Sequence, residues 1–161
     1  MDIVIANSQR TRQINRRRLK QITQALLAEL KVAAGELEIN LVAAPEMTRL
    51  NETYLHHAGL TDVITFDYSS PRRQTSNPRP RIHGEIFICV DEAIRQARRF
   101  GTTWQSEIVR YLVHGILHLL GFDDATPGAR RKMKRAENRR LRRLAGRFSL
   151  AQLAHPASIS A

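Results

Sequence analysis

From Trp104 to Leu120 the chain spells a helix that is apolar around most of its circumference, through Trp104, Ile108, Val109, Leu112, Val113, Ile116, Leu117, Leu119 and Leu120. Such a helix is stable only inside a core, so the rest of the chain has to fold around it. It also carries the run HGILHLLGFDD, residues 114–124. His114 and His118 stand four residues apart, an advance of about 40° and 6 Å, so both project from one face. Two polar rings buried there without partners would be costly. Neutral imidazoles at this spacing can grip one divalent metal ion. Gly121 tolerates a left-handed backbone, so it can end the helix and fold the chain back. That turn brings Asp124 toward the same ion. The pattern H-x3-H-x5-D supplies three protein ligands and leaves room for water, as catalytic metal sites do.

The residue after the first histidine limits the chemistry. In the HExxH proteases it is a glutamate that acts as general base. Here it is Gly115, and no carboxylate replaces it within that turn of the helix. A peptidase reading therefore lacks its proton-transfer group.

The 161 residues suffice for one domain with a real core, and at 42% hydrophobic they describe a globular chain. Twenty-six Lys and Arg against 15 acids give a net charge of +11, which favours a polyanionic partner, nucleic acid above all. The single cysteine, Cys89, excludes an internal disulfide and fits a reducing compartment, and its apolar setting IFICV suggests a packed thiol. The start MDIVIANSQR has no secretory signal character, and the longest apolar stretch, near residues 111–122, is too short to span a bilayer. The expectation is a cytoplasmic protein with no membrane partner.

Hydrophobic periodicity predicts strands at 2–6, 36–43, 63–68 and 82–90. A helix with apolar positions Leu19, Ile22, Leu26, Leu30 and Ala33 should stop at Gly35, and Pro45 should open a short helix to about His56. Residues 69–81, with three prolines and four arginines, read as a mobile basic loop. A short helix over 91–100 ends at Gly101, and Thr102 is placed to cap the next, with Gln105 at its third position. A last helix over 127–147 has a packed stripe of Met133, Ala136, Leu141 and Leu144 and is otherwise basic, with Glu137 its one acid. The expected class is α+β: one small mixed sheet covered by helices, with the metal site on a buried helix and the turn after it. Residues 1–148 form a single catalytic domain in this reading, and 149–161 a frayed tail.

The run 114–124 resembles the signature of the YbeY family of bacterial metallo-endoribonucleases, H-G-x-L-H-L-x-G-Y-D-H. It matches at His114, Gly115, Leu117, His118, Leu119, Gly121 and Asp123, with Phe122 for Tyr. LNETY and TDVITF resemble the family's L-N-x-x-Y-R and P-T-D-V-L-S-F, and HGEIFI its G-D-I-x-I strand. The resemblance implies a compact α+β domain that binds one Zn²⁺ through the motif side chains. It further implies cleavage of single-stranded RNA, a part in maturing the 3′ end of 16S rRNA, and ribosome quality control, with rRNA and ribosomal subunits as partners.

Two positions depart from the family. Its third ligand is usually His, and here Asp124 holds that place, with Asp123 and His83 as alternatives. A carboxylate is a competent zinc ligand. Its charge leaves a bound water less acidic than three imidazoles would. Leu55 stands where the family has a phosphate-contacting Arg, a loss that Arg72, Arg73, Arg81 or protonated His56 and His57 would have to cover. Arg72, Arg73 and Arg81, with Arg139, Arg140, Arg142 and Arg143 of the last helix, are the candidate RNA-backbone contacts. Glu85 is the candidate for orienting a ligand or relaying a proton, a strand-edge charge being its alternative. No general base is identified. The rival reading is a ribosome-assembly factor that holds zinc structurally and cuts nothing.

Overall fold

In the computed structural model, residues 1–56, 59, 61–69 and 79–154 are described. Among them β1 (Asp2–Asn7), α1 (Arg16–Glu29), β2 (Ala34–Val42), α2 (Ala44–Tyr54), β3 (Val63–Asp67), β4 (Arg81–Cys89), α3 (Val90–Phe100), α4 (Trp104–Leu119) and α5 (Pro127–Arg147) follow in that order. The sheet order is β1-β2-β4-β3. β1, β2 and β4 run parallel, and β3 closes one edge antiparallel to β4. The fold is therefore α+β with one small mixed sheet, as expected.

Strand alternation separates the two faces of the sheet. Leu37, Ile39 and Leu41 of β2 and Ile82, Ile86 and Ile88 of β4 enter the main core with residues of α1 and α4. The other face carries a second, smaller cluster of Val42, Met47, Ile64 and Cys89, where α2 packs. α4 lies directly on the sheet, with Ile108, Leu112, Val113 and Ile116 wholly buried. Gly115 allows that approach, because a Cβ there would stand 2.8 Å from Ile86 Cδ1. The same fact explains why a protease-type glutamate has no place at 115: its side chain would be driven into the sheet. Cys89 is buried, and burial pushes its thiol up to about 11.

Several local expectations are corrected. α1 ends at Leu30 because Lys31 takes a left-handed φ of 58° and its N–H reaches the Ala28 carbonyl. Gly35 instead lies in β2 with φ 138°, where a Cβ would collide with the Ile82 carbonyl oxygen. The cap of α4 is Thr103, whose hydroxyl accepts from the Ser106 N–H at 3.1 Å; Thr102 donates to Glu107. Arg81 belongs to β4 and not to the preceding loop, most of which, with Arg72 and Arg73, lies outside the described residues. Of the tail expected over 149–161, residues 155–161 lie outside the described residues. The first part is ordered: a 3₁₀ turn over Leu150–Leu153 buries Leu153, Asn15 N–H donates to its carbonyl, and Ile14 bridges Ala154. An apolar side chain and a backbone bond hold that stretch to the start of α1.

Candidate metal centre

The end of α4 is built to return the chain. Gly121 N–H donates to the His118 carbonyl and Phe122 N–H to that of Leu117, the paired bonds of a Schellman motif, with Gly121 left-handed at φ 97°. The reversal carries Asp124 back beside the helix face that bears the histidines. One ligand atom from each of His114, His118 and Asp124 lies within 4.8 Å of the others. The two imidazole Nε2 atoms are 3.1 Å apart. Tetrahedral zinc with donors at about 2.0–2.1 Å sets neighbouring donor atoms roughly 3.3 Å apart, so the pair has close to the spacing of two ligands of one ion. Two nitrogens and a carboxylate also form a chemically suitable donor set.

Protonation favours the same use. Burial and then the neighbouring His114 hold the His118 pKa below its ordinary value, keeping a ring lone pair free near neutral pH. His114 Nδ1 lies 2.9 Å from Glu137 Oε2 on α5. An ionised carboxylate only accepts, so Nδ1 donates to Glu137 while Nε2 faces His118. Burial would raise the Glu137 pKa, but the bonds from His114 and Arg110, with Lys134 nearby, hold it down to about 2. Arg110 Nη1 reaches Glu137 at 2.8 Å and Lys134 Nζ at 3.4 Å.

The group opens on a cavity of about 840 Å³ lined by His114 and Asp124, by Arg110, Arg130, Arg131 and Lys134, and by Asp62 and Tyr111, among others. At 1.5 Å per residue, the wall from His114 back to Glu107 runs roughly 10 Å along α4. The space thus exceeds what an ion needs, and its walls set those four cations beside the carboxylates of Asp62, Glu107, Asp124 and Glu137. Burial raises the Asp62 carboxyl above its usual range, a shift opposed by the Val63 N–H. Tyr111 Oη is buried and has no hydrogen-bond partner among the described residues, and burial raises its phenol pKa.

Other candidates lie elsewhere. Glu85 is on the opposite face of the sheet from Ile86 and α4, where Asn40 and Tyr68 donate to it at 3.0 and 2.9 Å; alternation along β4 removes it from the cavity. His83 shares that face and meets Glu36 at 3.4 Å. Asp123 caps its own turn by accepting from Ala125 N–H. Arg140 and Arg143 turn toward Glu29 of α1, at 3.6 and 4.0 Å. Residues 139–143 lie about 12–18 Å along α5 from Arg131, and none of their arginines lines the cavity. Arg110, Arg130, Arg131 and Lys134 stand there instead, and with Glu137 they are the residues the sequence reading missed. One signal was available: Glu137 falls four residues after Met133 and seven before Leu144, in the packed stripe of an otherwise basic helix.

Residues 4–145 match the family model described as Endoribonuclease YbeY. The chain belongs to the YbeY family. It is 38% identical to the Endoribonuclease YbeY of Myxococcus xanthus over 73% of its length, spanning 40% of that longer protein. Against the YbeY of Chlorobium phaeovibrioides the identity is 33% over 88% of this chain and 90% of the relative, and against that of Bacteroides fragilis it is 32% over 80% and 86%. The solution structure of TM1509 from Thermotoga maritima has the same fold, with a TM-score of 0.63 at 21% identity over 96% of this chain and 98% of that one.

Proposed function

We propose that this chain is a metal-dependent endoribonuclease that holds one zinc ion through His114, His118 and Asp124 and cleaves single-stranded RNA. The observation that carries the reading is the three-ligand group opening on a cavity whose walls include Arg110, Arg130, Arg131 and Lys134, in a YbeY-family chain. When bound, the metal supplies a Lewis acid and a more acidic water. The protein's own part is positional. His114 and His118 present ring nitrogens, and Asp124 adds a carboxylate from the turn. Arg110, Arg130, Arg131 and Lys134 attract the phosphodiester backbone without reading bases. Maturation of the 16S rRNA 3′ end and ribosome quality control, in the cytoplasm, are the roles proposed for this activity, with rRNA in ribosomal subunits as substrate and partner. Among the described residues no helix is long and apolar enough to cross a membrane.

Leu55 favours a second reading, a zinc-containing ribosome-assembly factor without cleavage. It caps α2, is 41% exposed, and brings no charge where the family signature has Arg. Arg110 lines the cavity and provides a cation from α4, which supports the enzyme reading. The test compares wild type with His114→Ala and His118→Ala on single-stranded RNA, after chelation and after zinc repletion. Cleavage that chelation and both substitutions abolish, and that zinc restores only to wild type, supports the enzyme. Ribosome binding without cleavage above background favours the assembly factor, and cleavage indifferent to metal removes both.

A further inference from the structure

α5 contains ten Lys and Arg and a single acid, Glu137, yet that acid is 4% exposed. A buried carboxylate is a poor way to stabilise helix packing, since an apolar residue of similar size often does as well or better. Its position therefore calls for a partner that needs a carboxylate. The partner at 2.9 Å is His114 Nδ1, and the other nitrogen of the same ring faces His118 Nε2 at 3.1 Å. Metal-binding histidines commonly donate their second ring N–H to a carboxylate, which fixes tautomer and ring angle and raises the basicity of the ligating nitrogen.

We propose that Glu137 is a positioning residue that locks His114 as the Nδ1–H tautomer and aims its Nε2 at the metal, with Arg110 holding the carboxylate in place. The inference rests on the metal reading above. Arg110 serves two neighbours, donating to Glu137 Oε1 and Asn138 Oδ1, each at 2.8 Å, while it also lines the cavity. Glu137 Oε2 is left to His114, and Oε1 takes Arg110 and Lys134. One carboxylate thus ties the ligand on α4 to cations on α4 and α5. Helix α5, which supplies none of the three ligands, becomes part of the metal site.

The test uses the full chain stripped of metal, with Glu137→Gln and Glu137→Ala. Zinc affinity is measured by competition with a chromophoric chelator, and the His114 tautomer by ¹⁵N NMR of the imidazoles. Circular dichroism verifies that each variant is folded at the assay temperature. The expected result is an Nδ1–H tautomer in wild type and mixed tautomers in Glu137→Ala. Zinc affinity should fall about 10–100-fold in Glu137→Ala and less in Glu137→Gln, whose amide oxygen still accepts from Nδ1–H. Folded variants with wild-type affinity and tautomer would overturn the proposal and leave Glu137 as a pin between two helices. A wild-type chain that binds no zinc would overturn the metal reading, and the proposal with it.

Discussion

Gly115→Ala puts one methyl group into the closest contact between α4 and the sheet. An ideal Cβ there lies 2.8, 3.0 and 3.1 Å from Ile86 Cδ1, Cγ2 and Cγ1. Carbons in ordinary contact stand about 3.5–4.0 Å apart, so three atoms of one side chain have to give by roughly half an ångström. Ile86 is wholly buried, and branching at Cβ restricts its χ1, so it has little room to rotate away. Overpacking of this kind costs about 1–3 kcal/mol. Alanine returns up to about 1 kcal/mol of helix propensity relative to glycine. The net expectation is a loss of about 1 kcal/mol, read by urea denaturation of the metal-free protein with an unchanged m value. Ile86→Val removes the nearest atom, Cδ1, and on its own should cost about 0.5–1.5 kcal/mol. In the Gly115→Ala background it should cost little or restore stability, a coupling of at least about 0.5 kcal/mol. A Gly115→Ala protein as stable as wild type, or additive effects in the double variant, would refute the account of how α4 seats on the sheet.

Replacing Arg130 and Arg131 with Ser should flatten the salt dependence of single-stranded RNA binding by about 0.7 log unit per lost phosphate contact, while Arg139→Ser with Arg142→Ser leaves the slope near wild type; the reverse outcome would move the RNA path to the far half of α5. Thr103→Ala should cost about 1 kcal/mol in a denaturant melt through loss of the α4 cap, and a neutral result would contradict the cap assignment. Because burial holds the Cys89 thiol near 11, thiolate is scarce at pH 8, so a disulfide reagent should modify Cys89 only as fast as the chain unfolds. Immediate labelling of native protein would place the thiol at the surface.

What could be read in advance followed from repeated patterns. The apolar surround of α4 and the alternation of β2 and β4 each recur over several residues, and periodicity predicts such elements well, while Pro127 marks the start of α5 as a local signal. The group that could hold a metal was legible because His114, His118 and Asp124 sit on one helix and the turn after it, so local geometry alone brings them together. Contacts made by packing separate elements were not. Glu137 reaches His114 across 23 positions, and only the docking of α5 on α4 reveals it. Glu85 looked close to the site because β4 is close, but which face it occupies depends on register against α4. The basic half of α5 nearest the cavity also could not be chosen from composition, since arginines run along most of the helix. At Lys31 and Thr103, the structure uses residues adjacent to, or several positions before, the stronger local signal.

The central claim is one catalytic ion held by His114, His118 and Asp124, and metal titration of the stripped chain tests it most directly. RNA cleavage should rise with added zinc and reach its plateau at one ion per chain, with Asp124→Ala requiring a large excess and His118→Ala giving no recovery. Full cleavage by the stripped wild type, or a plateau unaffected by both substitutions, would contradict it.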